Sequence, residues 1–183
     1  ISMVMMGAIC QFLPVIGGIG IANFRIVSTI SHSFHTIGTL AFSFIFIFPN
    51  TFISVISIFT LGTGFTFYIC AVANVLIKKL SQGQTIIGMR LAMLSLVVVV
   101  LLGILFLAQK SLVPYIELGA ISDKNFTDIH ALLGGFGWAG VLILAVSLQI
   151  IPMFHVTPSF PKLLAKYMPA ALIALLSLLF VFK

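Results

Sequence analysis

The stretch from Asp128 to Pro158, DIHALLGGFGWAGVLILAVSLQIIPMFHVTP, decides the fold. Between Ile129 and Met153 it carries no charged side chain. At about 1.5 Å per residue, a helix over that run matches a hydrocarbon core about 30 Å thick. It opens on His130 beside Asp128 and closes on Gln149-x-x-Pro152 and His155. A half-copy stands at the start of the chain, where Gly7-Ala-Ile-Cys-Gln11-Phe-Leu-Pro14-Val repeats the register of Ala145-Val-Ser-Leu-Gln149-Ile-Ile-Pro152-Met.

Working outward, composition supports the same reading. The chain is 61% hydrophobic and 7% charged, with a mean hydropathy of +1.30. Soluble domains carry roughly a quarter charged residues, and a chain of this size could not bury so much apolar surface without a bilayer. The net charge of +6 comes from nine scattered Lys and Arg against three acids. Scattering at loop positions fits the cytoplasmic bias of membrane proteins and gives no basic groove, so nucleic acid is excluded as a partner. Cys10 and Cys70 both sit in apolar runs, which reads as buried thiols and not a disulfide or a paired-cysteine metal site.

Six spans of an all-α polytopic bundle are expected, as one transmembrane domain over residues 1–183. They run about Ile1–Gly17, Val27–Phe48, Phe52–Ile77, Ile86–Ala108, the quoted stretch, and Met168–Phe182. Residues 109–127 form the one substantial loop, where Tyr115 and Leu118 suggest a small interfacial helix. Ile1 to Pro14 makes only about 21 Å of helix, so the first span is expected to begin upstream of Ile1. The repeat then predicts a histidine 19 positions before Gln11, the offset that separates His130 from Gln149. A signal peptide fits poorly, because a basic n-region and a small-residue cleavage site are missing. With the first helix ending in the cytoplasm, Arg25, Lys78, Lys79, Arg90, Lys162 and Lys166 lie on or near that side, against Lys110, Lys124 and Lys183 opposite. The positive-inside rule supports this orientation, and helices one and five then form a repeat of parallel topology.

Several residues are candidates for chemistry. His130 lies within a turn of the outer face, with Gly134 and Gly137 at i+4 and i+7. A histidine above a glycine stripe suits a flat macrocycle, which needs one axial nitrogen and no side chains beneath the ring. The alternative is close helix packing, since Ala131, Gly135 and Ala139 also make a small-residue stripe. His32 and His35, three apart, put two imidazoles on one helix face, as a shared metal or a proton relay requires. His155 lies on the same side, and the three histidines together would make a copper or zinc site; interfacial hydration is the plainer reading. Gln149 and Gln11 each precede a proline by three residues. Either they satisfy a carbonyl that the proline frees, or they contact a cofactor substituent. Arg90 either snorkels to the interface or meets a propionate or phosphate. No Cys-x-x-Cys-His, phosphate loop or His-Glu-x-x-His is present, no acid lies within a span, and no catalytic residue is assigned.

The segments SMVMMGAICQFLPVIGG (2–18) and DIHALLGGFGWAGVLILAVSLQIIPMFHVTPSFPKL (128–163) resemble a group of bacterial inner-membrane proteins related to the catalytic subunit of haem–copper oxidases. In that superfamily, helices with His-x-x-Leu-Gly motifs place haem ligands near the outer face. The resemblance implies that His130 is a haem ligand, that a partner histidine lies before Ile1, and that the protein sits in the cytoplasmic membrane beside other respiratory subunits. The chain departs from true oxidases. It has about half their spans, and the paired histidines and cross-linkable tyrosine of an oxygen-reducing copper centre are not recognisable. The resemblance therefore implies a haem b or copper-binding subunit with an electron-transfer, sensing or assembly role. A cofactor-free structural subunit and a small-solute permease are the alternatives.

Overall fold

The computed structural model describes residues 2–78, 83–112 and 124–181. Every regular element among them is a helix: α1 Ser2–Gly17, α2 Phe24–Ile47, α3 Thr51–Lys78, α4 Gln84–Leu112, α5 (124–155) and α6 Lys162–Val181. Four helical stretches are long and apolar enough to cross a membrane: Phe24–Ile47, Thr51–Lys78, Gln84–Gln109 and Phe126–His155. Ser2–Ile16 is a shorter apolar helix. The chain is an all-α integral membrane protein. Only 22% to 28% of each span is buried in protein, and large apolar side chains such as Phe44, Phe46, Phe52 and Phe59 point outward. That arrangement is unstable in water and natural in lipid.

Two compact units divide the chain. One comprises Ile1–Val75 with Val100–Phe126, the other Leu76–Val99 with Thr127–Lys183. In the first, α1 and α2 are joined by a tight link. Gly18 and Asn23 adopt left-handed backbone (φ 67° and 50°), as glycine and asparagine do at least cost. The Asn23 carbonyl accepts the first bonds of α2, from Ile26 and Val27. A turn after Ile47 then leads into α3, whose first free N–H, that of Phe52, donates to the Asn50 side chain at 2.8 Å. α2 and α3 approach closely at two levels. A Cβ on Gly38 would meet Leu61 and Thr60 at 2.7 Å, and one on Gly64 would meet the His35 ring at 2.8 Å. One turn nearer the α2–α3 link, the Ser57 hydroxyl donates across the interface to the Gly38 carbonyl at 3.2 Å. Small residues and hydroxyl bonds of this kind hold helices together where lipid removes the hydrophobic drive.

In the second unit, Gly88 of α4 packs directly on Ala145 of α5, and a Cβ added at Gly88 would also lie 3.6 Å from Pro169 of α6. The middle of α5, Leu133–Gly140, is π-helical. Four glycines fall in those eight residues, so little side-chain packing holds the narrower α turn there. Helix boundaries differ from the hydropathy reading by four residues or more at three ends, and one of these is the start of α5, at Lys124 in place of Asp128. α4 runs on to Leu112, and α6 begins at Lys162, where the Pro161 carbonyl accepts the Ala165 N–H at 3.1 Å. Lys162 and Lys166 make that first part of α6 polar and so hide it from a hydropathy window. The expected interfacial helix around Tyr115 and Leu118 lies outside the described residues.

Candidate metal and cofactor site

The first unit contains a cavity of about 350 Å³ among α1, α2 and α3. Its wall carries Met3, Met6 and Cys10 from α1, Ser31, His32 and His35 from α2, and Tyr68 from α3. Spacings of three and four place Met3, Met6 and Cys10 on one face of α1. Antiparallel registry sets their depth. Met6 is eleven residues before the end of α1 at Gly17, and His35 is eleven after the start of α2 at Phe24. Both therefore lie about 16 Å from the link that joins the helices.

His35 is the best-defined group in this cavity. It is 2% exposed, and its Nδ1 stands 2.7 Å from the Ser31 carbonyl one turn earlier. A carbonyl only accepts, so the proton sits on Nδ1, and Nε2 carries a lone pair. Nε2 is buried and has no hydrogen-bond partner among the described residues. The ring is fixed on its other sides by Phe65, edge-on at 4.2 Å between centroids, and by Gly64. Metal-binding histidines commonly show this arrangement, one ring nitrogen bonded to backbone and the other left to a ligand. The Ser31 hydroxyl, also on the cavity wall, is likewise buried without a partner. Tyr68, fully buried, reaches the Met6 carbonyl through its hydroxyl at 3.5 Å and closes the α3 side.

The second unit holds the other residues singled out from sequence. His130 is half-buried in the first part of α5, and its ring is held at the Val99 backbone. The side of α5 that carries Gly134 and Gly137 is taken up by α4. A Cβ on Gly134 would lie 3.7 Å from Val99, and one on Gly137 would meet Ser95 at 3.0 Å. These two glycines therefore let helices approach. Ser95 and Val99 stand where side chains at these two positions would extend. Gly135, which the small-residue stripe assigned to packing, instead faces open space. The π turn is the reason: i→i+5 bonding through Leu133–Gly140 breaks the 3.6-residue period on which both expectations relied. Trp138 is buried there, and its Nε1 donor has no partner among the described residues.

Gln149, Gln11, His32 and His155 are exposed on their helices. Arg90 has a partner that its sequence context did not suggest. Its Nε and Nη2 donate to the Leu76 carbonyl at 3.2 and 2.7 Å, which ties α4 to the C-terminal turn of α3. Cys10 is buried as expected, whereas Cys70 is exposed on α3, and neither is in a disulfide. Among the described residues no group of three or more His, Cys, Asp or Glu side chains is placed to hold a metal ion. His32 and His35 belong to the first unit and His155 to the second.

No protein-family model matches the chain, and no curated protein or solved structure matches it either. The site must be read from its own chemistry. Sequence reasoning found His35 but passed over Met3, Met6, Cys10 and Tyr68. The pattern Met3-x-x-Met6-x-x-x-Cys10 was available as a signal, a sulfur-bearing face on a helix that adjoins the one with His35.

Proposed function

We propose that this protein is a metal-binding subunit of the bacterial cytoplasmic membrane, which holds copper in the α1–α2–α3 cavity for electron transfer, sensing or assembly beside other respiratory subunits. One observation carries the reading. A deeply buried imidazole on the wall of a cavity within a membrane domain, oriented by its Ser31 bond, keeps a ring nitrogen without a partner among the described residues. A buried acceptor left unsatisfied costs about 1–3 kcal/mol, a cost that a bound ligand removes. Ionisable groups within spans mark functional sites for the same reason. The test is elemental analysis of the protein purified from membranes in lipid nanodiscs. About one copper per chain is expected, and none in His35→Ala. A protein that folds normally yet carries no copper after growth in copper-supplemented medium would refute it.

A haem b on His130 is the second reading. Its half-buried imidazole favours it, and the closed Gly134/Gly137 face weighs against it. A Soret band that shifts on reduction and is lost in His130→Ala would establish that reading in place of the first.

A further inference from the structure

Three features of the cavity bear on which ion it accepts, and the inference they carry rests on the metal-binding reading above. The first is the donor set. Met3, Met6 and Cys10 present two thioethers and a thiol from one face of α1, and His35 presents a nitrogen from α2 at the depth of Met6. Thioether and thiolate donors select Cu(I), whereas zinc sites are built from thiolate, imidazole and carboxylate. No three of the latter groups gather among the described residues, and methionine sulfur is the soft donor this wall offers beside Cys10.

The second feature is charge. The described wall carries no Asp or Glu, and with the Tyr68 hydroxyl directed to the Met6 carbonyl, Cys10 is the side chain on it best placed to supply a negative charge to a soft metal in place of its thiol proton. A thiolate with Cu(I) is a neutral pair. With Zn(II) or Cu(II), one thiolate leaves a net positive charge inside the membrane domain, which costs several kcal/mol unless paired. The third is adaptability. Methionine has three rotatable bonds, so Met3 and Met6 adjust to an ion without movement of the helix, while Ser31 and Phe65 hold His35 still.

We infer that the cavity is a Cu(I) site in which Met6, Cys10 and His35 are the ligands, with Met3 as a further thioether at its mouth. Binding forms bonds from Cys10 Sγ, Met6 Sδ and His35 Nε2 to the ion, and the Cys10 proton leaves to solvent. No electron is transferred in this step.

The experiment uses the full chain in nanodiscs without oxygen, titrated with Cu(I) against bathocuproine disulfonate, and separately with Zn(II). One Cu(I) per chain is expected. Met6→Leu keeps volume and apolarity and so preserves packing. It should weaken Cu(I) by about 100-fold or more, past the ~10–100-fold typical of changes outside the ligand shell. Cys10→Ser should do likewise, and Cys70→Ser, on the outer face of α3, should change nothing. X-ray absorption of the Cu(I) form should show sulfur and nitrogen neighbours, with one sulfur lost in Met6→Leu. Unchanged affinity in both Met6→Leu and Cys10→Ser, or Zn(II) retained as tightly as Cu(I), would overturn the Cu(I) assignment and leave a metal-binding subunit standing. Failure to retain any metal would overturn both.

Discussion

Gly64→Ala tests the contact on which the position of His35 depends. The added Cβ would lie 2.8 Å from His35 Nδ1 and 3.1 Å from both its Cε1 and the Phe34 Cβ, against 3.4 Å for ordinary contact. The ring has little freedom to yield, because Nδ1 is bonded to the Ser31 carbonyl at 2.7 Å and Phe65 abuts it edge-on. Either α3 backs away from α2 or the imidazole turns and its bond is lost. Overpacking of this kind costs about 1–3 kcal/mol, and a lost hydrogen bond about 0.5–1.5 kcal/mol. Alanine returns up to ~1 kcal/mol of helix propensity. The expected net is a destabilisation of up to about 3 kcal/mol. Gly62→Ala on the same helix is the matched control. Its Cβ would meet only the flexible end of Ile104, at 3.4 Å, so it should be neutral or stabilising by up to ~1 kcal/mol. Unfolding in mixed micelles by titrated dodecyl sulfate, followed by far-ultraviolet circular dichroism, separates the two. Equal midpoints would refute the claim that the α2–α3 contact pins His35.

Three other variants probe the remaining contacts in the same assay. Arg90→Ala removes two charged donors from the Leu76 carbonyl and should cost about 1.5–3 kcal/mol, with Arg90→Lys a partial rescue; no loss would mean that the α3 terminus is satisfied otherwise. Gly88→Ala would set its methyl on that of Ala145, and a destabilisation of about 1–3 kcal/mol is expected, relieved in part when Ala145 is changed to Gly. Val156, a β-branched residue at φ 51° that caps α5 and is almost fully exposed, should gain about 1 kcal/mol when changed to Gly or Asn; a loss would show that its side chain has a role the fold does not reveal.

Hydropathy was enough to read the fold class, because a bilayer demands apolar length and closed backbone bonding, and both are one-dimensional properties. α2, α3 and the apolar part of α5 lie close to where that reading placed them. It lost accuracy where a helix leaves the apolar layer, as at Lys162 in α6, and where four glycines let α5 open into a π turn. It could not supply the partner of Arg90. Leu76 is 14 residues away on another helix, and backbone carbonyls leave no trace in sequence.

The two histidines of α2 show what decides a site in a membrane bundle. Their i, i+3 spacing makes them look equivalent, yet His35 is buried and His32 is exposed. The difference comes from the face on which α2 meets α3, marked by buried Ser31, His35 and Gly38 at i, i+4 and i+7. His32 lies one position off that line, and at about 100° per residue this turns it outward to the mouth of the cavity. The packing glycine thus also decides which of the two imidazoles is buried. Gly64 allows α3 to approach close enough to cover His35, Ser31 then fixes its proton on Nδ1, and Nε2 is left as a buried acceptor without a partner among the described residues. A polar atom that the helices leave unpaired after closing so tightly is better explained by an occupant than by packing.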